Sequence, residues 1–288
     1  MSNTAARPRR SLLYVPASNA RALEKARTLP ADGFIVDLED AVLPEAKPAA
    51  RETAVALIRA GGFENREVIV RVNALDTPWA KDDLAALAEA RSPAILVPKV
   101  SSPDDLRVAA GALMSHASIQ LWAMMETARS ILYAREIAAF GAPLAGVVVG
   151  TNDLAKELRC SHPADRAPMR MALQTCVLAA RAHGLAVIDG VHIDLDDEAG
   201  FIESCRQSRA LGFDGRSLIH PKQIAGANIA YAPSADDVTR ARKIAEAHRA
   251  AAADGKAVVV VDGRLVEFLH VREAERVLAQ AEAIASLS

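Results

Sequence analysis

Short apolar runs rich in β-branched residues recur along the chain, separated by Ala-rich segments whose apolar positions repeat at helical spacing. The runs SLLYV (11–15), GFIVD (33–37), EVIVRV (67–72), AILVP (94–98), IQLWAMM (119–125), GVVVG (146–150), AVIDG (186–190) and GFDGRSLI (212–219) read as strands. The segments between most of them, such as NARALEKARTL, PAARETAVALIRA, WAKDDLAALAEAR, RSILYAREIAAFG and MRMALQTCVLAARAHG, read as helices. Strand–helix alternation implies parallel strands joined by right-handed crossovers. Eight runs of nearly continuous apolar character before residue 220 predict an α/β fold of the (β/α)8 TIM-barrel type, whose strands are buried on both faces, rather than an open doubly wound sheet.

The pattern changes after residue 225. SADDVTRARKIAEAHRAAAADG predicts a long helix with Ser234 as N-cap and Gly255 as its stop. KAVVVVDGRLVEF predicts a hairpin turning at Asp262-Gly263, and a last helix is expected over about 270–286. The expected organisation is a flexible N-terminal tail (1–10), a TIM-barrel catalytic domain (11–255) and a C-terminal hairpin–helix extension (256–288) serving as a lid or subunit-interface arm.

Composition narrows the function. With 288 residues, 51% hydrophobic, 24% charged and a net charge of −2, the chain reads as an ordinary globular protein with no polyanionic partner; neither nucleic acid nor membrane is expected. Three cysteines do not make a disulfide framework, so a reducing cytoplasm is the expected compartment.

Chemistry is expected where barrel strands end, because the active site of this fold forms at the C-terminal face. The ends carry Ser18 and Asn19, Asp37/Glu39/Asp40, Arg71 with Asn73, Lys99, Glu126, Asn152/Asp153, Asp189/His192, and Arg216 with His220. A convergent ring of ionisable groups points to an enzyme. The stretch FIVDLEDAV places three carboxylates after a buried strand and invites a metal-site reading. Glu126 and Asp153, on adjacent strands, make a better pair: two carboxylates with waters and a chelating substrate are how Mg²⁺ is usually held. Glu39 and Asp40 are then expected to orient Arg71, Lys99 and metal-bound water, with Asp37 nearer the strand.

Several alternatives are weighed against this. Glu126 and Asp153 could be helix N-terminal charges. Arg216 and His220 could be a structural pair, and Asp189 with His192 could cap the loop DGVHIDLDDE. Lys99 could act as a Schiff-base nucleophile, although neighbouring carboxylates would keep it charged. No GxGxxG, GxxxxGK[ST] or GxSxG motif is present, and the Cys160-x-His162 pair lacks further ligands.

The motifs RSLLYVPASNARALEKA, VDLEDAV, EVIVRVNALDTPW, VPKV, WAMMETARSI, GTNDLAKEL, GFDGRSLIHPKQI and DGRLVE, in this order, resemble the citrate lyase β-subunit-like group of the HpcH/HpaI aldolase/citrate lyase family. WAMMET, GTNDLAKEL and ARAHGL are most similar to the malyl-CoA lyase/(3S)-malyl-CoA thioesterase branch. The resemblance implies a (β/α)8 barrel, assembly as a trimer or dimer of trimers, and Mg²⁺ on Glu126 and Asp153. It implies CoA contacts from Tyr14, Arg21, Lys25, Ile219 and His220, and substrate oxygens held by Arg71. Many lyases of the group carry Asp where DGRLVE places Glu267, an acid/base position, so the extra methylene is expected to matter.

The implied reaction is cleavage of a 3-hydroxy-3-carboxy acyl-CoA of malyl- or citramalyl-CoA type to a 2-oxo acid and an acyl-CoA. Arg71 would stabilise the enolate oxygen and Glu267 would move the carbon-bound proton. Hydrolysis of a (3S)-malyl-CoA-type thioester at the same site, and action on a carrier-protein thioester as a citrate lyase β-like subunit, stand as alternatives.

Overall fold

The computed structural model describes residues 7–114, 118–253 and 258–287. Two compact units emerge, Arg9–Tyr231 and a smaller one containing Ala232–Ser288. The division therefore falls after Tyr231, and the helix Ala235–Ala253, expected within the barrel domain, belongs to the smaller unit.

In the larger unit eight parallel strands close into a barrel in sequential order. They are β1 (Ser11–Pro16), β2 (Gly33–Asp37), β3 (Glu67–Arg71), β4 (Ala94–Val97), β5 (Gln120–Met125), β6 (Leu144–Val149), β7 (Ala186–Asp189) and β8 (Gly215–Leu218). Each expected strand is present. The last is shorter than expected: Gly212 stops the preceding helix at φ +101°, and although the Asp214 N–H donates to the Val187 carbonyl, it is the Asp214 carboxylate, not a backbone carbonyl, that accepts the Val187 N–H. The helical run over 128–138 is interrupted at Tyr133 into Ala128–Leu132 and Ala134–Ala138.

Alternation along each strand sorts side chains into two cores. Leu12, Ile35, Ile69, Leu96, Trp122, Val148 and Ile188 fill the barrel interior, while a larger cluster lies between strands and helices. Trp122 is fully buried, and Gly146 on the neighbouring strand makes room for it; a Cβ there would sit 2.5 Å from the indole. Arg9 and Arg10, assigned by sequence to a flexible tail, are buried instead. Arg9 pairs with Glu67 and lies 5.3 Å from the Trp122 ring centroid, and Arg10 is bidentate to Asp32. Burying those guanidiniums is tolerable only because each meets a carboxylate.

In the smaller unit, β9 (Val259–Val261) and β10 (Arg264–Val266) form the expected antiparallel hairpin. Asp262 (φ +48°) and Gly263 (φ +74°) both take the left-handed conformation that a two-residue hairpin turn of type I′ requires. Ser234 caps the helix Ala235–Ala253, its Oγ accepting the Asp237 N–H at 3.0 Å. The expected stop, Gly255, lies outside the described residues. Ala241, Ile244, Val266, Val271 and Ala274 form this unit's own core.

Candidate active site

The C-terminal ends of β1, β2, β3, β5, β6 and β8 surround a cavity of about 350 Å³. Tyr14, Asp37, Asp40, Arg71, Met124, Gly150, Asn152, Asp153, Ser217 and Ile219 are among its lining residues. Arg71 ends β3 directly across from Asp37, which ends β2. Its Nε and Nη2 donate to the two Asp37 oxygens at 2.7 Å each, and Nη1 lies 3.0 Å from Glu39 Oε2 and 3.2 Å from Asp40 Oδ2. The guanidinium also covers the Tyr14 ring, 4.9 Å from its centroid.

Asp37 thus has the part expected of its neighbours: it is the main anchor of Arg71, with Glu39 and Asp40 as secondary partners. Burial pushes the Asp37 carboxyl up. The charge and hydrogen bonds of Arg71, with the N–H groups of Glu39 and Ala41, more than offset this and hold it below the usual carboxylate range. Glu39 moves the other way: burial and the Asp40 charge raise it against Arg71 and Lys99. Lys99 Nζ lies 3.2 Å from Glu39 Oε1; burial would lower its pKa, but Glu39 raises it on balance. That pairing leaves the ammonium protonated, the state a Schiff-base nucleophile must leave.

Glu126 follows β5 and is only 1% exposed. Its Oε1 accepts the backbone N–H of Lys99 at 2.8 Å, while Oε2 is buried without a partner. Lys99 adopts φ +53°, a left-handed conformation uncommon for a side chain of its kind. Burial pushes the Glu126 carboxyl up to about 7; the Lys99 N–H opposes this, and the charges of Glu39 and Asp153 add to it. Asp153 lies in the first turn of the helix Thr151–Leu158, half-buried. Gly150, between them, has no room for a side chain: a Cβ would stand 2.3 Å from Glu126 Oε2.

An orphaned, desolvated carboxylate oxygen within the electrostatic reach of a second carboxylate is a strong attractor for a cation. Among the described residues no group of three or more His, Cys, Asp or Glu is arranged to hold a metal. Two oxygen ligands therefore fit a hard cation completing its sphere with water and substrate, not a zinc-type cage.

The remaining expected residues separate. Ile219 lines the cavity, whereas His220 is exposed and its Nδ1 accepts the Lys222 N–H in a turn. Arg21 and Lys25 are exposed on the helix Ala20–Ala26. Arg216 does not pair with His220. It is fully buried, 3.8 Å from Asp189, which is held mainly by Arg166 at 2.6 Å. The β7 and β8 carboxylate and guanidinium thus form a structural ion network instead of joining the cavity lining. Glu267, in the smaller unit, is exposed as N-cap of the helix Phe268–Ala285, its N–H donated to His270 Nδ1 at 3.0 Å. Sequence reasoning did not single out Lys47, Met124 and Gly150. Lys47 stands just ahead of the helix predicted from Pro48, with nothing local to mark it, and the other two are marked only by close approach.

A closed parallel barrel with a buried arginine, an orphaned glutamate and a second carboxylate at one mouth defines a carboxylate-rich (β/α)8 enzyme site. The chain belongs to the HpcH/HpaI aldolase/citrate lyase family, whose profile matches residues 10–221. It is 48% identical over 281 residues to a (3S)-malyl-CoA thioesterase of Cereibacter sphaeroides, covering 98% of this chain and 97% of that one. It is 33% identical to an L-malyl-CoA/beta-methylmalyl-CoA lyase of the same species, covering 98% and 97%. Among solved structures it resembles protein CitE from Mycobacterium tuberculosis in complex with magnesium, acetoacetate and coenzyme A. The TM-score there is 0.77 at 32% identity, over 96% of this chain and 99% of that chain.

Proposed function

We propose that this chain is a magnesium-dependent hydrolase of (3S)-malyl-CoA-type thioesters, yielding CoA and the free acid. The observation that carries this is Arg71, locked by Asp37 at the cavity wall with the Glu126–Asp153 pair in the same strand-end ring. Sequence motifs alone favoured C–C cleavage; the 48% identical thioesterase moves the preference to hydrolysis. The lyase reading keeps support at family level from the 33% identical malyl-CoA lyase and stands second.

In this reading Glu126 and Asp153 hold Mg²⁺, which supplies Lewis-acid polarisation and an anchor for the substrate's hydroxy-acid oxygens. Arg71 is the oxyanion stabiliser. Its Nε and one Nη2 hydrogen are committed to Asp37, which fixes the plane of the guanidinium before substrate arrives. Asp40, whose side chain is 59% exposed, is the partner a substrate oxygen can displace from Nη1 at least cost. Water adds to the thioester carbonyl, the C–S bond breaks, and the thiolate leaves to take up a proton. The acid–base role is assigned to Glu267 by the family resemblance. The same resemblance supports CoA contacts from Tyr14, Arg21, Lys25, Ile219 and His220, and a homotrimer or dimer of trimers, which light scattering would test. All three cysteines are free thiols, which supports a reducing compartment such as the cytoplasm.

Incubating the purified chain with Mg²⁺ and (3S)-malyl-CoA, while following free thiol and 2-oxo acid separately, tests the reading. Thiol release without 2-oxo acid is expected. Stoichiometric 2-oxo acid would establish the lyase instead, and activity only on a carrier-bound thioester would replace both.

A further inference from the structure

Lys47 is not among the cavity-lining residues, yet it is only 6% exposed. Its ammonium donates to the backbone carbonyls of Leu38 at 3.0 Å and Glu39 at 2.9 Å, and to Asn73 Oδ1. The Trp79 ring lies 5.1 Å from the same nitrogen. An ammonium has three N–H bonds, and three oxygens take them, so no hydrogen remains for a ligand. Burial lowers the affinity of this lysine for its proton, but Asp37, Glu39, Asp83 and Asp40 all act to keep it charged.

The acceptors are themselves fixed. Asn73 N and Nδ2 both donate to Asp83 Oδ2, at 3.0 and 2.6 Å. Asp83 is fully buried and accepts Arg51 Nε at 2.7 Å on its other oxygen. Lys47 and Arg51 lie one turn apart on the helix Lys47–Ala60, so a single helix face sends out both cations and the circuit closes through Asn73. The backbone it secures matters. β2 ends at Asp37, so the carbonyls of Leu38 and Glu39 lie past its last ladder residue; Glu39 O accepts the Val42 N–H at 3.1 Å within the turn, and the Lys47 ammonium binds both carbonyls at once. From this same turn Glu39 reaches Arg71 at 3.0 Å and Lys99 at 3.2 Å.

We propose that Lys47 is a positioning residue for the site: by clamping the carbonyls of Leu38 and Glu39 it sets the turn from which Glu39 and Asp40 align Arg71. The consequence for turnover rests on the thioester reading above; the consequence for geometry does not.

The test compares Lys47→Met, which keeps the length and removes every donor, with Lys47→Arg, which keeps the charge but cannot place three donors on the same oxygens. Both are assayed as full-length protein below their melting temperatures. For Lys47→Met we expect kcat on (3S)-malyl-CoA to fall on the order of 10- to 100-fold, as misplacement of about 1 Å produces. KM and the Mg²⁺ dissociation constant from calorimetry should stay within about twofold, and Lys47→Arg should recover part of kcat. A Lys47→Met kcat within about twofold of wild type, or a loss matching only the unfolded fraction, would overturn the proposal. A crystal structure of either variant gives a readout free of turnover. Glu39 should move beyond ~4 Å from Arg71 or Lys99, and retention of both contacts would refute the clamp even if wild type proves to act on another substrate.

Discussion

Arg71 and Asp37 meet fork to fork as the register partners that close β3 and β2, each hydrogen bond 2.7 Å long and both side chains buried. The planar guanidinium matches the carboxylate at two points, which fixes orientation as well as distance. Asp37→Asn keeps the shape, removes the charge and leaves Arg71 short of its main counter-ion. Removing one partner of a buried pair costs about 3 kcal/mol, and kcat should fall at least ~100-fold as the oxyanion donor loosens. Urea denaturation and steady-state kinetics measure the two losses. Full kcat in a destabilised variant would remove Arg71 from the proposed mechanism.

Glu126 makes metal-free stability depend on pH. Its carboxyl stands at about 7 in the folded chain against 4.5 ordinarily, so the native state favours the protonated form. The stabilisation is complete below about pH 4.5 and is lost as pH rises through about 7; the difference approaches ~3 kcal/mol. In EDTA, Glu126→Gln should therefore be more stable than wild type at pH 8, with the gap closing by pH 5. Equal stabilities at pH 8 would show that Glu126 is not desolvated as described. Mg²⁺ competes with the same proton, so its calorimetric affinity should weaken roughly tenfold per pH unit below 7.

Gly150→Ala probes the crowding beside Glu126. The new methyl carbon would stand 2.3 Å from Oε2 and 2.6 Å from Cβ of that residue, so the carboxylate must swing away. Overpacking of this kind costs about 1–3 kcal/mol. Mg²⁺ affinity should drop at least ~10-fold; unchanged affinity would place the cation elsewhere.

Lys99 contributes through backbone and side chain separately. Its N–H holds Glu126 from a left-handed conformation, and its ammonium pairs with Glu39. Lys99→Gly and Lys99→Ala both delete the ammonium, but only glycine relieves the backbone, so Lys99→Gly should be more stable by about 1 kcal/mol. Equal kcat in the two variants would assign the functional loss to the ammonium.

Glu267→Gln tests the acid–base assignment. Turnover should fall on the order of 10²- to 10⁴-fold with Mg²⁺ affinity unchanged. A variant retaining full kcat would take Glu267 out of the catalytic set.

The periodicity of apolar runs was enough to read the barrel, every strand of it, because burial on both faces leaves continuous hydrophobic stretches that helices do not mimic. The hairpin at Asp262-Gly263 and the cap at Ser234 were equally legible, since turn and cap chemistry is local. Strand ends also marked Arg71, Glu126 and Asp153, because in this fold position along a strand decides which end a residue faces.

Which carboxylate holds which cation was not local information. Asp37 outranks Glu39 and Asp40 only because β2 and β3 pair in register, putting it opposite Arg71. Asp189 and Arg216 looked like members of the ring, but Arg166, from the connection between the helices Thr151–Leu158 and Arg170–Ala182, captures Asp189. The tail arginines Arg9 and Arg10 resembled a solvated N-terminus until Glu67 and Asp32, distant in sequence, gave them partners. Lys47 stood just before the predicted helix, and only the fold carries its ammonium to Leu38, Glu39 and Asn73. Local pattern determined the elements and the end of the barrel where charge gathers. Tertiary structure decided the pairings, because a buried charge takes its meaning from the nearest opposite charge, and that neighbour arrives from another strand.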